Sequence, residues 1–177
     1  FSIKDTSIEL DKWIVLKAIN LQKEILDHYN KFNFHIISQL IHGFCVNELG
    51  SFYLDVIKDR QYTCKKDSAE RKSAQNSMYV ILQMLLSWIA PICPHTAEEA
   101  WSHVPKSSQK SIFFNKWLII NDSEIPQTKI NLENWEKILE IKKHVSKELE
   151  NKREKNIIGS SLDADVKILY FYISIKR

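Results

Sequence analysis

The apolar residues of this chain recur at spacings of three and four positions over most of its length. The first series places its apolar residues on one stripe of a helix that reaches about Tyr29: Leu10, Trp13, Ile14, Ala18, Leu21 and Ile25. Similar series begin at Phe34, Ala74 and Leu132. Only 3 glycines and 4 prolines interrupt 177 residues, so little in the chain opposes helix formation. A mainly α protein is therefore predicted.

The connections between these helical series are short. Short connections place successive helices antiparallel, which predicts an antiparallel helix bundle. We expect Gly50-Ser51 to interrupt the second helix, which then resumes from Phe52 to Arg60. Asp67 or Ser68 can cap the third long helix, and Pro91 ends it because proline lacks the backbone donor. The last long helix is predicted from Leu132 to about Arg153.

Two segments have the spacing of a capping box, in which a hydroxyl and a carboxylate each accept from the other's backbone amide. Thr6 precedes Glu9 by three positions, and Thr96 precedes Glu99 by three positions. The pattern predicts that one helix begins at the first pair and a short helix begins at the second.

The domain organisation predicted from the sequence is a bundle over residues 1–156 and the start of a truncated subdomain over 157–177. Residues 105–129 read as an extended connector, pinned by aromatic residues between Phe113 and Trp117, that packs over the bundle. Residues 166–175 are rich in β-branched and aromatic side chains over a strand's length. We expect a short terminal β-strand there, belonging to an incomplete α+β subdomain.

Composition excludes several classes of protein. The 44% apolar and 27% charged content is that of a folded globular chain, and no run of about 18 apolar residues predicts a membrane span. The three cysteines, Cys45, Cys64 and Cys93, are widely spaced and form no Cys-x-x-Cys pair. Neither a disulfide framework nor a zinc knuckle is expected, and a reducing cytoplasm is the predicted location.

The sequence contains no recognisable catalytic or metal-binding pattern. The six histidines include no His-Glu-x-x-His arrangement, there is no Gly-x-Ser-x-Gly, and the three glycines never cluster into a phosphate-binding loop. Glu98 and Glu99 are adjacent on a helix and diverge by about 100°, which disfavours an acid-base pair. We therefore expect no catalytic residue, no metal site and no cofactor in this segment.

A binding surface is the remaining possibility, and the charge distribution indicates where to look. The net charge of the chain is +3, and residues 58–72 alone carry six basic and three acidic side chains. Basic side chains track phosphates, and an aromatic ring among them can stack on a splayed RNA base. The candidate RNA-binding residues are Lys58, Arg60, Tyr62, Lys65, Lys66, Arg71 and Lys72.

The order and spacing of several motifs resemble one enzyme family. These motifs are Leu10-Asp-Lys-Trp13, Phe32-Asn-Phe-His35, Phe52-Tyr-Leu-Asp-Val-Ile-Lys-Asp-Arg60, Arg71-Lys-Ser-Ala-Gln75, Ala90-Pro91, Thr96-Ala-Glu-Glu99 with Trp101, and Ile158-Gly-Ser-Ser-Leu162. Together they resemble the region that follows the catalytic core in bacterial-type isoleucyl-tRNA synthetases. The resemblance covers nearly the whole chain and implies a helix bundle of the class I aminoacyl-tRNA synthetase anticodon-binding type.

The resemblance also implies a function for the longer protein. Such an enzyme ligates isoleucine to its tRNA with ATP and binds zinc, but its catalytic signatures, editing insertion and zinc module are absent from this segment. The chain begins without methionine, so we expect an excised piece whose partners are the catalytic and C-terminal domains of the same polypeptide. The implied role of the piece itself is docking of the anticodon arm of isoleucine tRNA. Weak, mostly electrostatic binding is expected in isolation.

Two alternatives stay open from the residues alone. Lys58-Asp59-Arg60 can form an ion-pair network at a helix end, which would hold the bundle together or against a neighbouring domain instead of binding phosphates. The whole chain can also be a helical protein-interaction or interdomain bridging module without autonomous RNA binding, with the segment 166–175 as its docking edge.

Overall fold

The computed structural model describes residues 6–105, 109–120 and 124–169, and all regular structure in these ranges is helical. The α-helices are α1 (Glu9–Asn30), α2 (Phe34–Gly43), α3 (Leu54–Val56), α4 (Lys58–Tyr62), α5 (Ala69–Ile89), α6 (Pro94–Ser102) and α7 (Leu132–Glu154). A π-helical segment, Phe44–Tyr53, joins α2 to α3, and short 3₁₀ turns lie at Ile112–Phe114 and Ser161–Asp163. The prediction of a mainly α fold is confirmed.

The chain forms two compact units, residues 1–130 and residues 131–177. The division between the units falls after residue 130, whereas the predicted domain boundary falls between residues 156 and 157. That boundary stays a prediction about the longer protein.

The first unit is an up-and-down helix bundle. Helix α1 and the path from α2 to α4 are antiparallel, since Trp13 near the start of α1 meets Phe52 near the end of the π-helical segment, with ring centroids 5.5 Å apart. Helix α5 returns parallel to α1, because Asp11 contacts Ser73 and Gln22 contacts Trp88. The antiparallel order of successive helices is therefore the one that short connections predict.

The centre of this bundle is filled by large side chains with almost no exposure to solvent. They include Trp13, Ile14, Ile25, Ile37, Tyr53, Met84 and Trp88. Burying a side chain of this size contributes roughly 1.5–3 kcal/mol, so these residues supply most of the drive for folding. A second cluster joins α5 and α6 to the following segment through Leu86, Ala90, Ala97, Trp101, Val104 and Ile112.

The predicted interruption of the second helix at Gly50-Ser51 is wrong. The chain passes through Gly50 without leaving helical geometry, because residues 44–53 are wound as a π-helix. Phe44, Leu49 and Tyr53 follow one another at spacings of five and four positions, and the wider π-helical turn brings all three to the buried face. A Cβ on Gly50 would lie 3.0 Å from the carbonyl oxygen of Cys45, which gives the glycine a packing role.

The first predicted capping box does not form. Helix α1 begins after Ile8, which makes no side-chain cap, and the amides of Ser7 and Ile8 donate to Ser73 Oγ at 3.0 and 3.2 Å. Glu9 instead accepts from the backbone amide of Lys129 at 2.8 Å. Glu9 does not bond the backbone amide of Thr6, because the distant Lys129 offers its carboxylate a backbone donor instead. Ser68, by contrast, caps α5 as predicted.

The second predicted capping box is also wrong. Helix α6 begins at Pro94, two positions before Thr96, and proline suits the first turn because an amide there has no helical acceptor. Glu98 accepts from Ser111 Oγ at 2.9 Å and from the Ile112 amide at 3.1 Å. Glu98 thus anchors the following segment to α6.

The segment after α6 lies against the bundle in its described parts. Trp101 Nε1 donates to the carbonyl of Gln109 at 3.0 Å, and Gln22 Nε2 donates to the carbonyl of Leu118 at 2.8 Å. Side chains of the helices thus satisfy backbone carbonyls that a helix or sheet would otherwise have to satisfy.

The second unit contains α7 and a C-terminal segment that returns along it. Ser160 and Asp163 form a capping box at the short 3₁₀ turn, with Asp163 Oδ2 accepting from the Ser160 amide at 2.7 Å. A groove of about 550 Å³ lies between α7 and residues 157–168, lined in part by Ile141, Val145 and Ile168.

The predicted β-strand at 166–175 is wrong for residues 166–169, which have no regular structure, while 170–175 lie outside the described residues. The described ranges contain no strand with which this segment could form a ladder. β-branched residues favour a strand only where a neighbour satisfies the backbone, so the local preference is not realised. No described helix is long and apolar enough to cross a membrane.

Candidate RNA interface

Arg60 belongs to a buried ion pair. Its guanidinium donates through Nη1 to Asp11 Oδ2 and through Nη2 to Asp11 Oδ1, both at 2.9 Å. The Asp11 side chain is 0% exposed and that of Arg60 is 16% exposed. A two-point contact of this kind holds the arginine in one orientation. The ion-pair interpretation of Lys58-Asp59-Arg60 thus describes Arg60, whose partner is Asp11 on α1.

Two further donors complete the shell around Asp11. Tyr53 donates its hydroxyl to Oδ1 at 2.9 Å, and Ser73 donates to Oδ2 at 2.6 Å. Burial, together with the neighbouring carboxylate, raises the pKa of Tyr53, which stays a neutral donor. This network ties α1, the π-helical segment, α4 and α5 to one carboxylate, and it builds the end of the bundle that displays residues 61–72.

Arg71 is also structural. Its guanidinium donates to the carbonyl of Cys64 at 3.4 Å, and its side chain is half-buried beneath the connection between α4 and α5. The Nε atom is buried without a hydrogen-bond partner in the part of the chain that the structure describes. Arg71 therefore supports this connection from within, and its predicted contact with RNA stays a prediction.

Three of the predicted residues are exposed to solvent. Tyr62 is 84% exposed, and Lys65 and Lys66 are exposed in the connection between α4 and α5. Neither lysine forms an ion pair with any residue in the described ranges. Their ammonium groups and the ring of Tyr62 are the strongest match to the predicted combination of cations and an aromatic face.

Lys58 and Lys72 are exposed but have acidic neighbours. Lys58 Nζ lies 2.8 Å from Asp55, and Lys72 Nζ lies 3.4 Å from Asp67. The hydrogen bond and charge of Asp55 raise the pKa of Lys58, so it stays charged. Ion pairs in solvent are weak and exchange readily for other anions. The side chains of both lysines therefore remain accessible to a phosphate.

The opposite end of the bundle carries a surface that the sequence analysis did not single out. Tyr29, Phe32, Phe34 and Trp117 form a chain of edge-to-face rings, which we call the distal aromatic cluster. Tyr29 also donates its hydroxyl to the Trp88 carbonyl at 2.5 Å, which fixes it to α5. The sequence analysis named the motif Phe32-Asn-Phe-His35 and the connector aromatic Trp117 separately and gave neither a binding role. The described ranges bring no three His, Cys, Asp or Glu side chains together in a metal-binding arrangement.

Comparison with known protein families decides the classification. Residues 11–168 match the family model described as the anticodon-binding domain of tRNA ligase. The chain belongs to this family. The match includes the Asp11–Arg60 pair, the connection with Tyr62 and the distal aromatic cluster, so all the geometry above lies within the anticodon-binding domain.

Relatives of this anticodon-binding domain are isoleucine–tRNA ligases. The protein of that name from Blochmanniella pennsylvanica is 44% identical over 166 residues, which are 94% of this chain and 18% of the relative. The one from Francisella philomiragia is also 44% identical over 166 residues, with the same coverage. The one from Shewanella sediminis is 41% identical over 159 residues, or 90% of this chain and 17% of the relative. The chain thus spans less than a fifth of the length of these relatives.

Proposed function

We propose that this domain docks the anticodon arm of isoleucine tRNA as part of an isoleucine–tRNA ligase. The match of residues 11–168 to the anticodon-binding family supports the docking role. The names of its relatives support isoleucine tRNA as the partner. The ligase would join isoleucine to that tRNA with ATP in the cytoplasm, with zinc bound outside this segment and with its catalytic and C-terminal domains as partners.

The part of this segment in that reaction is binding and not catalysis. Lys65 and Lys66 neutralise backbone phosphates, with Lys58 and Lys72 releasing their acidic neighbours to join them, while the ring of Tyr62 lies against the sugar-phosphate backbone or an accessible base. Arg60 and Arg71 keep this surface in shape from below. The hydrogen-bond network on Asp11 fixes the backbone beneath these side chains before RNA binds, which lowers the entropy cost of binding.

The test is a salt titration of tRNA binding with single charge removals. Lys65→Gln and Lys66→Gln should each weaken binding to all tRNAs and lower the slope of log affinity against log salt by roughly 0.7–0.9 for each phosphate that is no longer neutralised. Lys23→Gln, at an exposed position on α1, removes the same charge elsewhere and is the matched control. Binding that is absent, or a slope that no lysine changes, would refute the docking role.

The choice between isoleucine tRNA and other tRNAs is tested in the same titration. A preference for isoleucine tRNA would support a domain that reads identity by itself. Equal affinity for an unrelated tRNA would support electrostatic docking with discrimination elsewhere in the ligase.

A further inference from the structure

Phe32 occupies a backbone conformation that phenylalanine ordinarily avoids. Helix α1 ends at Asn30, the amide of Phe32 donates to the carbonyl of Tyr29, and the amide of Asn33 donates to that of His28. These two hydrogen bonds are those of a Schellman motif, in which the residue just after the helix cap takes a left-handed backbone conformation. That residue is usually glycine, and here it is Phe32. Phe32 has a φ of 56° there. A Cβ in this region crowds the backbone, so the residue is strained.

The strain is not compensated by burial. Phe32 is 77% exposed. Helix α7 ends in the same way, with Asn156 at φ 54° and its neighbour Ile157 donating to Lys152, and asparagine tolerates the left-handed region well. The chain thus uses a suitable residue at one helix end and a strained, solvent-facing aromatic at the other. Strain of this kind concentrates at functional sites.

The ring of Phe32 is positioned by its neighbours. Its centroid lies 6.1 Å from that of Phe34, which lies 6.0 Å from Tyr29, and Tyr29 lies 5.7 Å from Trp117. Edge-to-face contacts of this type fix the orientation of each ring. In each pair one ring offers its edge and the other its face, and Phe32 and Phe34 keep 77% and 46% of their surface exposed to solvent.

The chain segments that carry the cluster favour an anionic partner. Residues 28–36 contain Lys31 and no carboxylate, and residues 109–120 contain Lys110 and Lys116 and no carboxylate. Lys31 is paired with the carboxylate next along the chain, Asp27, at 2.6 Å, and an ion pair this exposed exchanges readily for another anion. Open aromatic faces among cations are the combination that binds unpaired nucleotides, because rings stack on bases and cations hold phosphates.

We propose that Phe32 and Phe34 form a stacking platform for unpaired bases of an RNA loop. This inference rests on the proposed docking of a tRNA arm and assigns a second contact to it. Helix α1 has 22 residues and spans about 33 Å, with the Asp11–Arg60 pair near its start and Phe32 just beyond its end. The phosphate-binding lysines and the platform therefore lie at opposite ends of the bundle, where one elongated RNA arm contacts both.

The experiment compares two RNAs with the intact chain and its variants. One RNA is a hairpin whose loop bases are unpaired, with a fluorescent adenine analogue in the loop, and the other is a blunt duplex of the same stem. Phe32→Asn removes the ring and installs the residue that α7 uses at the same position. Phe32→Tyr keeps the ring, and Leu162→Asn, at a side chain 94% exposed, is the control for loss of an exposed apolar group.

Phe32→Asn should weaken hairpin binding roughly 5- to 150-fold, the range that corresponds to losing one stacked base. It should leave duplex binding unchanged, abolish the fluorescence change in the loop and raise Tm by about 2–5 °C because the strain is relieved. Phe32→Tyr and Leu162→Asn should keep the original affinity. A loss of binding together with a gain of stability is a result that a merely structural phenylalanine cannot produce.

Two results would overturn the platform and can be told apart. Hairpin binding that is unchanged in Phe32→Asn would refute stacking while leaving electrostatic docking in place. An unsubstituted chain that binds neither RNA would refute the proposed function and the platform together.

Discussion

Replacing Arg60 by methionine should destabilise the first unit severely, although Arg60 lies in a segment that looks like a charged surface. The substitution keeps most of the aliphatic volume and leaves Asp11, which is 0% exposed, without its cation. Breaking a buried pair by removing one partner costs about 3–5 kcal/mol. Tyr53 and Ser73 still donate to the carboxylate, and water can reach the 16% exposed position of Arg60, so we expect about 3 kcal/mol.

The assay is urea denaturation followed by circular dichroism. With a slope near 2 kcal/mol per molar urea, a loss of this size lowers the midpoint by about 1.5 M. Lys58→Met, two positions before Arg60, is the matched control, since it breaks a pair with Asp55 whose side chains are 64% and 67% exposed. Its midpoint should barely move, because solvent already screens that pair.

A second substitution separates the ion pair from other effects of losing Arg60. Adding Asp11→Asn to Arg60→Met removes the uncompensated charge, so the double variant should be more stable than Arg60→Met alone. The reasoning is refuted if Arg60→Met shifts the midpoint no more than Lys58→Met, or if the two substitutions simply add. The salt slope of tRNA binding should also be unchanged in folded Arg60→Met, because this guanidinium is already held by Asp11.

Two further predictions concern the frame of the bundle. Gly50→Ala should lower the unfolding free energy by about 1–3 kcal/mol, because the added Cβ meets the Cys45 carbonyl at 3.0 Å. The control Ser51→Ala should leave the unfolding free energy unchanged. An unchanged urea midpoint for Gly50→Ala would contradict the packing role of this glycine. Burial raises the pKa of Tyr29 from 10.0 to about 12, so its contribution to stability is fully present below pH 10 and is lost as pH rises through 12. Absorbance titration of wild type against Tyr29→Phe measures this pKa directly, and a midpoint near 10 would show that the hydroxyl is not held against Trp88.

The helices were predictable because their causes are local. Apolar spacing located α1, α5 and α7, and Ser68 capped α5 as its position before the helix indicated. Local patterns failed where a distant partner competed for the same group. Glu9 had the spacing of a capping residue, yet it accepts from the backbone amide of Lys129. The spacing of Thr96 and Glu99 failed for a local reason, since α6 begins at Pro94, two positions before Thr96.

The candidate site was predictable as a region but not residue by residue. The charge excess at residues 58–72 located a surface on which Tyr62, Lys65 and Lys66 are indeed exposed. It could not show that Arg60 turns inward, because the reason is a carboxylate 49 positions earlier in the chain. The distal aromatic cluster was missed for a similar reason, since Trp117 and Tyr29 meet only in the folded bundle.

The sequence by itself determined the helical class of this protein, its family and the stretch where exposed cations gather, since periodicity, motif order and composition are properties of neighbouring residues. Only the tertiary structure decided which charges are structural, how residues 44–53 are wound and whether residues 166–169 form a strand. Each of these depends on the partner that folding brings to a polar group. A buried charge or an unpaired backbone is too costly to leave without one, and local sequence does not say where that partner will come from.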